Sequence, residues 1–262
     1  MLRVLLVSNY VLIMIKPNSL LHGNCFKLMP DIPDESIDLI LTDPPFNATW
    51  CNWDKPISFE KMWLHFNRII KPNGAMLIFG MEPFSSYLRM ANIINYRYDI
   101  IWDKLSTSNF ANAKKMPLNV YENISVFYKK QPTYNPILTD ALPEKVRPLY
   151  NPVMNMSDSN QIYSGITKKY SEGYDNTKRY PTKIIRISSR EKECNSHSRL
   201  HPAQKPVSLC EKLISMYSNQ GDVVFDGFAG VGSICLAAKQ SKRSYIGIEL
   251  KKTFYNIAQS KM

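Results

Sequence analysis

Hydrophobic positions along the chain keep two different periods, and each period predicts an element. Ile37-Asp38-Leu39-Ile40-Leu41-Thr42 is a nearly continuous run of β-branched and aliphatic residues, stopped by Asp43-Pro44-Pro45. Such a run reads as a buried parallel strand, because prolines cannot continue a sheet ladder. Phe59, Met62, Trp63, Phe66 and Ile70 then fall at i, i+3, i+4, i+7 and i+11, the apolar stripe of an amphipathic helix. Lys71-Pro72-Asn73-Gly74 is expected to break that helix, with strands following over 75–79, 98–102 and 123–128.

From 129 to 201 the pattern dissolves into Pro, Asn, Ser, Tyr and Lys without a sustained period. A structureless run of that length inside a compact domain is usually functional or mobile. Order returns after Pro206, where Leu209, Cys210, Leu213, Ile214 and Tyr217 form a helical stripe closed by Asn219-Gln220-Gly221. Residues 222–226 read as a buried strand, followed by the turn Gly227-Phe228-Ala229-Gly230-Val231-Gly232. A helix with Val231, Ile234, Cys235 and Ala238 on one face comes next, then a strand over 244–249 and a last helix. Strands alternating with helices predict an α/β fold with a doubly wound parallel sheet, and no internal repeat is visible. For 262 residues the expectation is one such domain carrying a large insertion.

The apolar run over 4–15 is too short to span a bilayer, which takes ~20 residues. It is followed by no small-x-small cleavage site, so it reads as an extra strand or an upstream extension without a part in the chemistry. Five scattered cysteines (Cys25, Cys51, Cys194, Cys210 and Cys235) form no CxxC pair, which fits free thiols in a reducing, cytoplasmic setting.

Charge changes the picture of the patternless segment. The chain carries a formal +11, and the stretch from Lys104 to Lys205 holds 17 basic against 8 acidic residues. A basic middle between near-neutral flanks reads as a nucleic-acid contact region, or more plainly as a solvated, loop-rich insertion. Lys114-Lys115 and Lys168-Lys169 suit phosphate contacts better than base reading.

Two segments carry candidate chemistry. In the first, a strand, a glycine turn, a helix and a second strand ending in Glu249 make the nucleotide-binding half of a Rossmann-like fold. Glycines let the backbone approach a ligand where a Cβ would clash, and a carboxylate at the next strand end can accept both ribose hydroxyls of an adenosine. The turn lacks the third glycine that seats a pyrophosphate, and Asp226 would face an ammonium better than a phosphate. Together these favour S-adenosylmethionine over NAD, against the plainer reading of a glycine turn used only for packing.

The second segment is Asp43-Pro44-Pro45-Phe46 at a strand end. The exocyclic amine of a nucleobase is a poor nucleophile, because its lone pair is delocalised into the ring. Acceptance of both N–H groups, by the Asp43 carboxylate and the Pro44 carbonyl, would favour a pyramidal nitrogen with an available lone pair. Prolines keep the two acceptors aimed, and Phe46 can stack on a base that has left the duplex. Neither a metal nor a covalent nucleophile is needed.

In this order the two segments resemble the beta group of DNA amino-methyltransferases, in which the catalytic motif precedes the cofactor motif. Leu21-His22-Gly23-Asn24-Cys25, Pro33-Asp34-Glu35-Ser36-Ile37-Asp38, His201-Pro202-Ala203-Gln204-Lys205-Pro206, Asp226-Gly227-Phe228-Ala229-Gly230-Val231-Gly232 and Ile246-Gly247-Ile248-Glu249 carry the likeness beside the catalytic quartet. It covers roughly residues 18–130 and 178–262. The resemblance implies a Rossmann-like fold with a seven-stranded mixed sheet and permuted motif order. It divides the chain into an extension over 1–15, a catalytic half over 16–129, a target recognition region over 130–200 and a cofactor half over 201–262.

It further implies that Phe228, Gly230 and Gly232 line the methionine part of the cofactor, with Lys205 near its carboxylate. Asn24 and Cys25 would lie near the adenosine, and Asp43, Asp226 and Glu249 would complete the cofactor site. Three positions depart from the family pattern: Phe46 stands for the usual Tyr, Asn24 for Asp and Gly227 for Pro. The implied activity is methyl transfer to adenine N6 in double-stranded DNA. Cytosine N4, an RNA substrate and an inactive DNA-binding relative are the alternatives. A second copy of the chain and a cognate restriction enzyme stand as open partner expectations, and no membrane role is expected.

Cys194, His197 and His201 have the Cys-x2-His-x3-His spacing of zinc ligands but no obvious fourth ligand, so no metal is expected. No cysteine follows a proline, as a cytosine-C5 nucleophile would, and no GxxxxGK[ST] loop for ATP is present.

Overall fold

The computed structural model describes residues 14–46, 56–108, 110–146, 175–190 and 203–262. Ten strands occur among them: β1 (Ser19–His22), β2 (Ile37–Thr42), β3 (Ile70–Gly80), β4 (Tyr96–Ser108), β5 (Asn119–Phe127), β6 (Thr139–Asp140), β7 (Lys178–Arg179), β8 (Ile184–Arg186), β9 (Val223–Asp226) and β10 (Ser244–Glu249). Six helices join them: α1 (Cys25–Leu28), α2 (Phe59–Ile69), α3 (Phe84–Met90), α4 (Val207–Tyr217), α5 (Ser233–Gln240) and α6 (Lys252–Gln259). Eight of the strands form one sheet in the order β1-β10-β9-β2-β3-β5-β4-β8. The first five of that order are mutually parallel, β5 is antiparallel to β3 and β4, and β8 is parallel to β4. The sheet is therefore mixed, as expected. It exceeds the expected seven strands by β8, a short strand within the segment that showed no period.

The central strands are buried because their sequences leave nothing to expose. Leu39, Ile40 and Leu41 of β2 are fully buried, as are Met76, Leu77, Ile78 and Phe79 of β3. Helix α2 lays Trp63 and Phe66 on the sheet, 4.7 Å from the ring of Phe127 and 6.0 Å from that of Phe225 respectively. Ser58 caps this helix, its side chain accepting from the Lys61 amide at 3.3 Å.

Ile70 departs from its expected place. It ends α2 as the C-cap and opens β3 by pairing with Ile37, while Ala75 pairs with Leu39. Lys71-Pro72-Asn73-Gly74 is thus a bulge inside one strand and not a break before the next. Lys71 Nζ lies 2.6 Å from Asp38 Oδ1, and a Cβ on Gly74 would meet the Asp38 carbonyl oxygen at 2.8 Å. The bulge therefore needs a glycine for close approach to β2.

Residues 136–182 form a compact unit of their own, of which 136–146 and 175–182 are described. In it β6 and β7 pair antiparallel, with Asp140 opposite Lys178 and an ion pair between the two side chains. Residues up to 135 and from 183 on make the other unit, which holds the whole eight-stranded sheet.

Strands β2 and β9 lie side by side, yet the chain leaves β2 toward β3 and β9 toward β10. Crossovers that diverge from neighbouring parallel strands open a crevice beyond the strands' C-terminal ends, where open α/β sheets bind ligands. Asp43 follows β2 directly, and Asp226 is the last residue of β9.

Candidate active site

A hydrogen bond joins the two strand ends. Thr42 Oγ1 donates to Asp226 Oδ1 at 2.7 Å, and the Phe228 amide donates to the same oxygen at 3.1 Å. Asp226 is 2% exposed. Burial pushes its carboxyl up to about 7, helped by the charges of Asp43 and Glu249 and opposed by the two hydrogen bonds. Among the described residues no ion pair reaches it. A buried acid poised near neutrality without a cation is suited to a ligand that brings one. Thr42 was not singled out in the sequence, where it reads as one more β-branched strand residue; its position just before Asp43 was the available signal.

Glu249 ends β10, the next strand of the sheet. Its Oε2 accepts from the Gly230 amide and its Oε1 from the Lys251 amide, each at 2.7 Å. Burial raises its carboxyl above the ordinary range, partly offset by these two amides. Each carboxylate oxygen has a second lone pair, so the group can also accept from a diol. Gly230 sits at φ +53°, and a Cβ there would meet nothing within 4 Å, which leaves open space over the turn. Gly232, at φ +79°, is different: its Cβ would lie 2.9 Å from the Ala258 Cβ. Its place is against α6, a packing role beside the cofactor role expected for it.

Asn24 and Cys25 stand at the start of α1. The Asn24 side chain accepts from the Phe26 amide at 2.9 Å and so caps the helix. Cys25 is buried, and burial pushes its thiol up to about 12, with the Asp226 and Glu249 charges adding to the shift. It is a neutral wall beside both acids and no nucleophile. The Phe228 ring meets that of Phe26 edge-on at 6.4 Å.

On the other side of the crevice, Lys205 is held between two acids. Its Nζ lies 2.6 Å from Asp43 Oδ2 and 3.2 Å from Glu122 Oε2, and Glu122 Oε1 in turn lies 3.6 Å from Lys104 Nζ. Lys205 is buried, which by itself would lower its pKa; the charges of Asp43 and Glu122 outweigh this and raise it. The ammonium is therefore held charged, 5.9 Å from the centre of the Phe46 ring and 5.1 Å from that of Phe79. Sequence reasoning missed Glu122 and Lys104, which look like ordinary charged residues on two strands and meet only through the β4–β5 pairing.

Pro44 is buried, and Pro45 and Phe46 line a cavity of about 250 Å³ with Ile57, Phe59, Met81, Phe84 and Tyr87 among its walls. The Phe46 ring stands 5.0 Å from that of Phe84. The cavity is mostly apolar and large enough for a flat heterocycle. Glu82, at its rim, is engaged by Arg89 and by the Ser86 hydroxyl at 2.6 Å.

Residues 43–46 and 226–232 lie at the C-terminal ends of β2 and β9 and on the turns that leave them, with Asp43 and Lys205 paired and Asp226 tied to Thr42. Cys194, His197, His201 and Lys168-Lys169 lie outside the described residues, as do residues 1–13 of the apolar N-terminal run. Among the described residues no helix is long and apolar enough to cross a membrane.

The family described as DNA methylase matches residues 37–260. The type II methyltransferase M.HpaI of Haemophilus parainfluenzae is 28% identical over 259 residues, 93% of this chain and 73% of that protein. DNA adenine methyltransferase YhdJ of Escherichia coli (strain K12) is 29% identical over 253 residues, 90% of this chain and 79% of that one. Among solved structures, the M1.HpyAVI–SAM complex superposes with a TM-score of 0.60 at 24% identity, over 92% of this chain and 97% of that chain. PvuII DNA methyltransferase, cytosine-N4-specific, does so with a TM-score of 0.63 at 20% identity, over 95% and 87%. Both likenesses concern the fold.

Proposed function

The chain belongs to the DNA methylase family, and we propose that it transfers a methyl group from S-adenosylmethionine to the N6 amine of adenine in a base flipped out of duplex DNA. The observation that carries the reading is the junction of Asp43 and Asp226 on neighbouring strand ends, tied through Thr42. One acid belongs to the amine site and the other to the cofactor site.

The residues fit the cofactor. Asp226 offers a buried negative charge to a cationic ligand, the turn at Gly230 is open, and Glu249 keeps acceptor capacity for ribose hydroxyls. Phe228 and Cys25 supply apolar walls. When bound, S-adenosylmethionine supplies an electrophilic methyl group on a sulfonium centre. The protein's part is then to hold the acceptor nitrogen in line and make its lone pair available.

Asp43 and the Pro44 carbonyl do this by accepting the two amine N–H groups. Lys205 fixes the Asp43 rotamer through the 2.6 Å contact. Phe46 and Phe84 give the cavity aromatic faces on which a flipped base can stack. Tyr, usual at the Phe46 position, would add a hydroxyl that stacking does not need. Adenine is favoured over cytosine by Asp at the head of the quartet, commoner in the adenine enzymes of the resembling group, and by the likeness to a DNA adenine methyltransferase.

The two-unit architecture supports the division of labour. The unit over 136–182 is itself near neutral, with 6 basic against 5 acidic residues, whereas its flanks hold 5 against 1 over 104–135 and 6 against 2 over 183–205. Together they serve as the target recognition region, the flanks gripping the phosphate backbone of the duplex. The test is transfer of labelled methyl from the cofactor to mixed-sequence duplex DNA, followed by digestion to nucleosides. Label in N6-methyladenine supports the reading. Label in N4-methylcytosine would replace the target base, and label in RNA alone or in nothing would overturn it.

A further inference from the structure

Glu122 takes no direct part in the chemistry proposed above, yet its ion pair with Lys205 leads to Asp43. It stands on β5 opposite Trp102, and its neighbour Asn123 pairs with Gly80, the last residue of β3. Strand β5 thus overshoots the C-terminal end of β3 and carries Glu122 to the edge from which Asp43 leaves β2. There Lys104, Glu122, Lys205 and Asp43 alternate in sign, with separations of 3.6, 3.2 and 2.6 Å. The side chains of Lys104, Glu122 and Lys205 are 9, 13 and 7% exposed, so water screens the chain weakly.

Lys205 comes from the segment ahead of α4, bounded by Pro206. Its backbone alone does not place an ammonium at the end of four rotatable bonds. The two carboxylates that bracket it do. We propose that Glu122 is a positioning residue for methyl transfer: it holds Lys205 between two acids, and through Lys205 sets the direction in which Asp43 presents its carboxylate to the target amine. This rests on the methyltransferase reading of the Asp43 site.

Bracketing has a chemical consequence. With Glu122 present, the Lys205 charge is shared, so Asp43 keeps acceptor strength for the amine. Without it the ammonium is claimed wholly by Asp43, which is drawn toward Lys205 and made a weaker acceptor. The substrate meets the change only at its amine, through Asp43, while the stacked base, the duplex backbone and the Asp226 and Glu249 side of the cofactor site are left as they were. Loss of Glu122 therefore falls on the chemical step and spares binding.

The experiment compares wild type, Glu122→Gln and Glu122→Asp in single-turnover methyl transfer, with cofactor affinity by calorimetry, duplex affinity by fluorescence anisotropy, and melting temperature. Glu122→Gln is expected to slow transfer about 10–100-fold while both dissociation constants stay within about threefold. Glu122→Asp, which keeps the charge but draws it back by one methylene, is expected to fall between the two. Transfer by Glu122→Gln at the wild-type rate overturns the proposal. So does a loss of rate matched by losses in both affinities and in melting temperature, with Glu122→Asp no better than Glu122→Gln. If Glu122→Gln does not fold, Glu122→Asp decides: a slower transfer with intact binding supports the role, and a wild-type rate overturns it. Failure of the parent reading is recognised separately, because wild-type protein would then transfer nothing to any duplex.

Discussion

Cofactor affinity should depend on pH through Asp226, and the size of the effect follows from its surroundings. The carboxyl is buried, tied to Thr42 and Phe228, and pushed up to about 7. Between the ordinary carboxyl range and about 7, the folded chain keeps a proton that the unfolded chain has lost. Ligand-free protein therefore loses stability as pH rises through that window. A cationic ligand reverses the preference, because it binds the carboxylate and not the acid. With the group about 3% ionised at pH 5.5, affinity there should be about thirtyfold weaker than the plateau reached above neutrality. Calorimetry in buffers of differing ionisation enthalpy should record release of about one proton per cofactor bound near pH 6. Thr42→Val removes a hydrogen bond that favours the charged form, so it should move this transition to higher pH. Asp226→Asn should abolish it. An affinity that is flat from pH 5.5 to neutrality, or a proton release that survives in Asp226→Asn, would refute the reasoning.

Three further perturbations separate the parts of the site. Asp43→Ala should cut the transfer rate about 10²–10³-fold or more while cofactor affinity holds, measured by single turnover and calorimetry, since the acid acts on the amine. Phe46→Tyr should transfer at nearly the wild-type rate, whereas Phe46→Ala should weaken stacking by about 1–3 kcal/mol; fluorescence of 2-aminopurine at the target position reports the lost flipping. The two turn glycines should part company. Gly232→Ala meets Ala258 at 2.9 Å in a left-handed conformation and should lose about 2–4 kcal/mol of stability in denaturant melts. Gly230→Ala, with open space at its Cβ, should lose only about 1–2 kcal/mol and show its main effect in cofactor affinity.

What the sequence made legible follows from how local the cause is. Strand β10 spans the predicted 244–249, and α4 carries the stripe of Leu209, Cys210, Leu213, Ile214 and Tyr217, because both are written in a short window of hydrophobic positions. The Asp43 loop and the Gly230 turn were visible for the same reason. Ile70 was misplaced because an apolar residue at helical spacing equally suits the first position of a strand, and its pairing with Ile37 is a tertiary fact. Strand β8 was missed because three residues in a polar segment have no period; only the edge of β4 makes them a strand. Helix α3 was passed over because Pro83 and two serines obscure its stripe.

In the site, the division is the same. Asp43, Asp226 and Glu249 announce themselves at strand ends, whereas the grip of Lys205 on Asp43 joins residues 162 apart in sequence. Glu122 and Thr42 acquire meaning only once the strand order places them at the crevice.

The most direct test of the central claim is expression of the chain in a host whose own DNA methylation has been removed, followed by modification-sensitive sequencing of the genomic DNA. Base, position and recognition motif are read together. The account predicts N6-methyladenine in one short recurrent motif, absent when Asp43→Ala is expressed to the same level. Unmodified DNA in cells that contain folded wild-type protein, or the same modification with Asp43→Ala, would contradict it.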